Sequence, residues 1–233
     1  MSEKKQKTPM NKEQQTKRNY TRRYAKDFNI FTKLYQIYAL YILFLPFTFL
    51  FYSIKLKKGD KKMNTPCIVA PNHISYFDPF LATFATAPGL AYMAKKELFE
   101  GSGFWGRYIA RNVSRLGAFS VNREKLEVST IKSAKEVFKA NFSLCIFPQG
   151  GIRKNKKIET INKGFVVLAK MVKVDILPVA ITGVEKYNWS LFKRKKINIR
   201  VGTPISYLGD EEEIIENWKK QICNMSGYEL VQS

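Results

Sequence analysis

From residue 64 onward, short apolar runs alternate with longer stretches of helical period, and that alternation limits the chain to one class of fold. Strand-like runs fall at Cys67–Ala70, Leu90–Met93, Leu116–Val121, Leu144–Phe147, Ile176–Thr182 and Ile197–Val201. Helix-like runs lie between or after them, at Pro79–Ala87, Phe104–Arg111, Leu126–Ala140, Asn162–Val172 and Glu211–Cys223. Strands separated by helices of this length predict an α/β fold: a largely parallel mixed sheet flanked by helices. In such sheets, active residues sit on loops that leave the carboxyl ends of strands. A proline inside the fifth run, Pro178, marks an edge strand or a bulge.

The preceding segment is of another kind. Residues 1–19 are polar and rich in Lys and Gln, and read as a disordered basic tail. Residues 20–62 read as a membrane-associating helical region, with 63–233 as the α/β domain. Within the first, Leu34 to Ile54 is almost wholly apolar, with Gln36, Thr48 and Ser53 as its clear polar exceptions. About 20 such residues suffice to cross a bilayer. Pro46 near the centre predicts a kink or break, the aromatics are spread throughout, and both flanks are basic. Those features favour a segment entering one leaflet from the cytoplasmic side.

Lys and Arg outnumber Asp and Glu 40 to 19, a formal charge of +21. Such an excess calls for an anionic partner. The basic residues flank an apolar segment and form no nucleic-acid recognition motif, so an anionic membrane surface is expected and nucleic acid is not. The cluster Lys193–Lys196 reads equally as a lipid contact or a plain basic loop. Cys67, Cys145 and Cys223 are isolated and odd in number, which suits reduced structural thiols. No Cys/His cluster is present, so neither a metal nor another cofactor is expected.

The chain has one histidine, His73, in the run Pro71-Asn72-His73-Ile74-Ser75-Tyr76-Phe77-Asp78. It follows the first strand and precedes an apolar helix opening at Pro79. Histidine exchanges a proton near neutral pH, and a carboxylate beside it fixes the tautomer and stabilises the imidazolium. His73 is therefore the candidate general base, with Asp78 as its partner or as a helix cap. Three further motifs follow: Gly117-Ala118-Phe119-Ser120-Val121-Asn122-Arg123, Phe147-Pro148-Gln149-Gly150-Gly151-Ile152-Arg153, and Ile176-Leu177-Pro178-Val179-Ala180. Arginines and a glycine loop are the groups a phosphate needs, and amides at the Pro79 helix start or at Gly150–Gly151 suit an oxyanion.

In order and spacing these motifs resemble those of the glycerolipid acyltransferases, specifically the 1-acyl-glycerol-3-phosphate acyltransferases. That family carries NHxxxxD, Gly-x-x-Phe-x-(Asp/Asn)-Arg, Phe-Pro-Glu-Gly-Thr-Arg-Ser and Val-Pro-Val. The resemblance covers roughly residues 64–205, and includes Lys95-Lys96-Glu97-Leu98, Lys163-Gly164 and Gly202-Thr203-Pro204-Ile205. Gln149 stands in place of the family's Glu, Gly151 in place of its Thr, and Ile152 is an extra residue before Arg153. The resemblance implies transfer of a fatty acyl group from acyl-CoA or acyl-carrier protein to the sn-2 hydroxyl of lysophosphatidic acid. It implies His73 and Asp78 as catalytic residues, and Asn72, Arg123, Gln149, Gly150, Gly151 and Arg153 as substrate contacts. A different lysolipid acceptor would suit the altered third motif. A non-catalytic membrane protein of the same fold is disfavoured by the intact His73/Asp78 pair.

Overall fold

The computed structural model describes residues 22–59, 65–100, 103–121, 128–159 and 161–231. A long helix, α1, opens the described chain. It runs as α-helix over Ile30–Ile37, widens to a π-helix over Tyr38–Phe44 and returns to α-helix over Leu45–Phe51. There follow β1 (Tyr52–Lys57), β2 (Ile68–Pro71), α2 (Asp78–Thr86), β3 (Leu90–Lys95), α3 (Gly103–Arg115), β4 (Ala118–Val121) and α4 (Val128–Lys139). The remainder is β5 (Ser143–Cys145), β6 (Lys157–Ile158), α5 (Gly164–Val172), β7 (Ile176–Thr182), β8 (Lys195–Val201), α6 (Glu211–Ser226) and β9 (Glu229–Leu230).

Seven strands form one sheet in the order β1-β8-β7-β2-β5-β3-β4, and β6 pairs with β9 in a second. All neighbours in the large sheet run parallel except β7 and β8. The sheet is thus mixed and largely parallel, as the alternation predicts. Its centre is β2, whose Ile68, Val69 and Ala70 are fully buried. Helix α6 covers it with Trp218, whose indole N–H donates to Ala70 O at 2.9 Å.

Pro178 does not lie at an edge, because β7 is interior. It sits where the β7–β8 ladder shifts register. Val179 pairs with Val201, but Ile176 pairs with Ile205, so two residues on β7 face three on the segment that leaves β8. Pro178 O still accepts from Gly202 N at 2.9 Å. This bulge is where a missing N–H is tolerated.

Pro46 neither breaks nor ends α1. The helix meets it by widening: Leu45 N–H reaches back five residues to Leu40 O, and the proline falls in the first turn of the restored α-helix. A π-turn at this point frees the carbonyls that a proline cannot satisfy.

The apolar reading of 20–62 gives no hint that Tyr52–Lys57 is a strand of the sheet. Its alternation places Lys55 and Lys57 outward, while Ile54 and Leu56 pack on the core. These lysines are the solvent side of an edge strand, which also protects the edge from pairing. Helix α1 likewise packs along the domain. Gln36 accepts from Gly89 N at 2.7 Å and donates to Leu90 O and Leu116 O at 2.7 and 2.8 Å. Thr48 returns its hydroxyl to Phe44 O at 2.7 Å. The Gln36→Leu variant should lose stability, since each orphaned buried group costs roughly 1–3 kcal/mol. Urea unfolding would measure the loss, and an unchanged midpoint would contradict the docking of α1.

Ala25–Phe51 is long and apolar enough to cross a membrane by length and composition. Its outer face exposes Ile30, Phe31, Leu34, Ile37, Tyr38, Ile42 and Leu50.

Candidate active site

Strands β2 and β5 are parallel neighbours, so the loops leaving their carboxyl ends emerge side by side. One is the His73–Asp78 loop and the other is Phe147–Arg153. Sheet topology therefore joins two motifs that are more than seventy residues apart. The loops are stitched by two hydrogen bonds: His73 N donates to Gln149 Oε1 at 2.8 Å, and Arg153 N donates to His73 O at 2.7 Å. The Phe147 ring stacks on the imidazole, centroids 4.0 Å apart and planes at 23°.

Asp78 is fully buried and does not cap α2; Phe77 takes that place without a side-chain bond. Its Oδ2 turns back onto the loop and accepts from Ile74 N at 2.6 Å, Ser75 N at 2.8 Å and His73 Nδ1 at 2.8 Å. The Nδ1 proton is thereby committed to the carboxylate, and Nε2 keeps its lone pair. Burial pushes the Asp78 carboxyl up, while the imidazole and the two amides draw it back. Its Oδ1 is buried with no partner among the described residues.

The imidazole lines a cavity of about 540 Å³. The opposite walls come from α2 (Pro79, Phe80, Thr83), β3 (Tyr92, Met93, Ala94), α3 (Val113, with Leu116 just beyond) and α1 (Gln36, Leu40). Gly151 and Ile152 also line it. Burial pushes the Tyr92 hydroxyl far up, so it stays protonated and bonds to Pro79 O at 3.0 Å. The cavity is a mostly apolar slot with one imidazole, which suits a hydrocarbon chain whose reacting end meets the base.

Two of the expected substrate contacts are bonded to backbone. Asn72 does not reach the cavity. It is fully buried, and its amide is spent on the β7 backbone, Nδ2 to Ile181 O at 2.9 Å and Oδ1 from Ile181 N at 2.7 Å. Gln149 is also buried, and its oxygen is already taken by His73 N. Asn72 is thereby spent on backbone, and Gln149 braces the His73 loop through its Oε1. Gly150 turns the chain at a φ of 67°, which favours glycine, and its N–H is used on Phe147 O at 3.0 Å. Gly151 lines the cavity, and Arg153 is exposed just beyond it. Arg123 lies outside the described residues, which end the second motif at Val121.

Gln36 on the cavity wall and Tyr187 beside the His73 loop lie outside the motifs, and Phe147 opens the third motif with no role read from sequence. Tyr187 packs on Phe77, its ring lies 5.4 Å from Lys154 Nζ, and its hydroxyl accepts from Ser75 Oγ at 3.4 Å. The three cysteines are free. Burial pushes the Cys67 thiol up to about 11 and holds Cys145 well above the ordinary thiol range, so neither is an activated nucleophile. Among the described residues, no group of three or more His, Cys, Asp or Glu is placed to hold a metal.

Comparison with known proteins finds relatives of this chain. A 1-acyl-sn-glycerol-3-phosphate acyltransferase of Streptococcus pneumoniae is 36% identical over 142 residues, 59% of this chain and 49% of that protein. One of Cocos nucifera is 29% identical over 71% of this chain and 54% of its own length. One of Bacillus subtilis is 29% identical over 65% of this chain and 76% of its own. The chain thus spans about half the length of the first two relatives. The crystal structure of the 1-acyl-sn-glycerophosphate acyltransferase PlsC from Thermotoga maritima superposes with a TM-score of 0.59. It covers 83% of this chain and 79% of that one at 19% identity, a likeness of fold. The Acyltransferase family model matches residues 53–182, more than half of the chain and from β1 through β7, and the chain belongs to that family.

Proposed function

We propose that the protein acylates the sn-2 hydroxyl of lysophosphatidic acid, giving phosphatidic acid, with acyl-CoA or acyl-carrier protein as donor. The observation that carries this reading is the Asp78-held imidazole on the wall of an apolar cavity. His73 Nε2 takes the proton of the acceptor hydroxyl as its oxygen attacks the thioester carbonyl. The tetrahedral intermediate collapses, the C–S bond breaks, and the imidazolium returns the proton to the departing thiolate. Asp78 stabilises the imidazolium while it exists. The Ile74 and Ser75 amides are spent on Asp78 and the Gly150 amide on Phe147, so the Gly151 amide on the cavity wall stands as a candidate oxyanion donor beside the first-turn amides of α2.

The names of the relatives support lysophosphatidate as the acceptor. The substitution of Gln149 for the family's Glu does not weaken that choice, because Gln149 serves the His73 backbone. Arg123 and Arg153 are proposed to hold the phosphate. A charged hydrogen bond contributes roughly 1.5–3 kcal/mol, so Arg153→Ala should cost on the order of 10- to 100-fold in acceptor efficiency. The loss should spare the thioester, and a loss confined to the thioester instead would assign the cation to the donor. The outer face of α1 is proposed to lie in one leaflet, on the cytoplasmic side. Product masses from a panel of lysophosphatidate, lysophosphatidylcholine and monoacylglycerol, each with both thioesters, test the reading. Phosphatidic acid as the dominant product supports it, and acylation of only the phosphate-free acceptor overturns it.

A further inference from the structure

Helix α3 carries an exposed aromatic face that the catalytic site does not use. Only Ala110 of its thirteen residues is buried. Phe104 and Trp105 are 69% and 71% exposed, and Tyr108 and Ile109 are about half exposed. The three rings pack on one another and not on the domain: Phe104 lies 5.6 Å from Trp105, and Trp105 lies 6.2 Å from Tyr108. At 100° per residue these four side chains share one arc, with Arg107 and Arg111 along its edge and Ala110 opposite. Between Gly103 and Arg115 there is no acidic residue.

We infer that this face of α3 is a second bilayer-inserting element, seating its rings at the acyl boundary of an anionic leaflet and its arginines among the phosphates. Two observations select lipid as the occupant. The first is charge: three arginines, an acid-free helix and exposed Trp and Tyr match the composition of an interfacial helix. The second is continuity with the exposed face of α1. Tyr35 donates to Asn112, Arg115 lies 5.9 Å over the Tyr35 ring, and Phe31, Leu34, Tyr38 and Arg115 line one shallow depression between the two helices. The aromatic face is therefore an extension of the α1 surface, drawn from a segment some seventy residues away in sequence. The inference extends the membrane reading of α1 and is independent of the acyl-transfer chemistry, because its test needs no turnover.

Tryptophan quenching in the full chain decides it. In a Trp189→Phe variant the remaining indoles are Trp105 and the fully buried Trp218. Vesicles of phosphatidylcholine and chain-brominated phosphatidylglycerol should quench that variant, and the quenching should vanish when Trp105→Phe is added. Replacing Phe104, Trp105 and Tyr108 together by Ser should lower vesicle partitioning by about 10-fold or more, since binding scales with inserted apolar area. Arg107→Gln with Arg111→Gln should remove the gain on passing from pure phosphatidylcholine to vesicles with phosphatidylglycerol. The rings lie outside the cavity, so turnover on short-chain substrates dispersed in detergent should match that of the unaltered chain. An unquenched Trp105, or serine substitutions that leave partitioning unchanged, overturns the inference. Unchanged partitioning with weaker use of an acidic carrier-protein donor would overturn it in favour of donor docking. If variants on the α1 face release the protein while those on α3 do not, α1 alone is the anchor.

Discussion

His73→Ala should lower turnover by at least ~10²-fold, the low end for a positioned acid–base group. The fold should survive, because the ring is partly exposed and Asp78 keeps the Ile74 and Ser75 amides. Thermal unfolding by circular dichroism, run beside the kinetic assay, separates the two effects. Retained activity with a normal melt would remove the imidazole from the mechanism. The chain contains no second histidine to take over its task.

Asp78→Asn should give a second large effect of a different shape. Asparagine offers an oxygen to the Ile74 and Ser75 amides, so the loop can close around it. It carries no charge to stabilise the imidazolium, and turnover should fall by at least ~10²-fold. Stability should move the other way or stay level. Burial holds the folded Asp78 carboxyl above its ordinary range. A folded value above the unfolded one means that stability is fullest below the unfolded value and falls as pH rises through the folded one. The buried charge therefore costs stability at neutral pH, and the Asn variant lacks that cost. Equilibrium unfolding at several pH values, compared between the two chains, reads it directly. A large loss of stability with unchanged turnover would assign Asp78 to the fold alone. Asp78→Ala is the contrasting case: it orphans two amides and should destabilise by roughly 1–3 kcal/mol for each.

The sheet was legible because its strands are short apolar runs and its helices keep their period. Ile176–Thr182 is the same in sequence and structure, and α2 begins one residue from its expected start. What escaped was β1. Tyr-Ser-Ile-Lys-Leu-Lys alternates with period two, but it adjoins a run so apolar that its lysines read as a membrane flank. The pairing of His73 with Asp78 was legible because one histidine faces a carboxylate across a turn. The roles of Asn72 and Gln149 were not, because a motif records identity and not direction. Both side chains point into backbone, which only the β2–β7 and β2–β5 pairings reveal. Gln36 left a trace in the sequence: a polar side chain in a long apolar helix needs a buried partner. Its partners at Gly89, Leu90 and Leu116 become visible only when α1 is laid on the domain. The aromatic face of α3 left none, since Phe104, Trp105 and Tyr108 are spaced as core residues would be.

Transfer is proposed to be direct: the acceptor oxygen, deprotonated by His73, attacks the thioester with no acyl-enzyme between. Intact-protein mass spectrometry after incubation with the thioester donor alone tests it. The expected result is an unmodified chain, followed by acylated lysophosphatidate and free thiol once the acceptor is added, with both formed at least ~10²-fold more slowly by His73→Ala. A chain heavier by one acyl group before the acceptor is added, and discharged by it, would contradict the account.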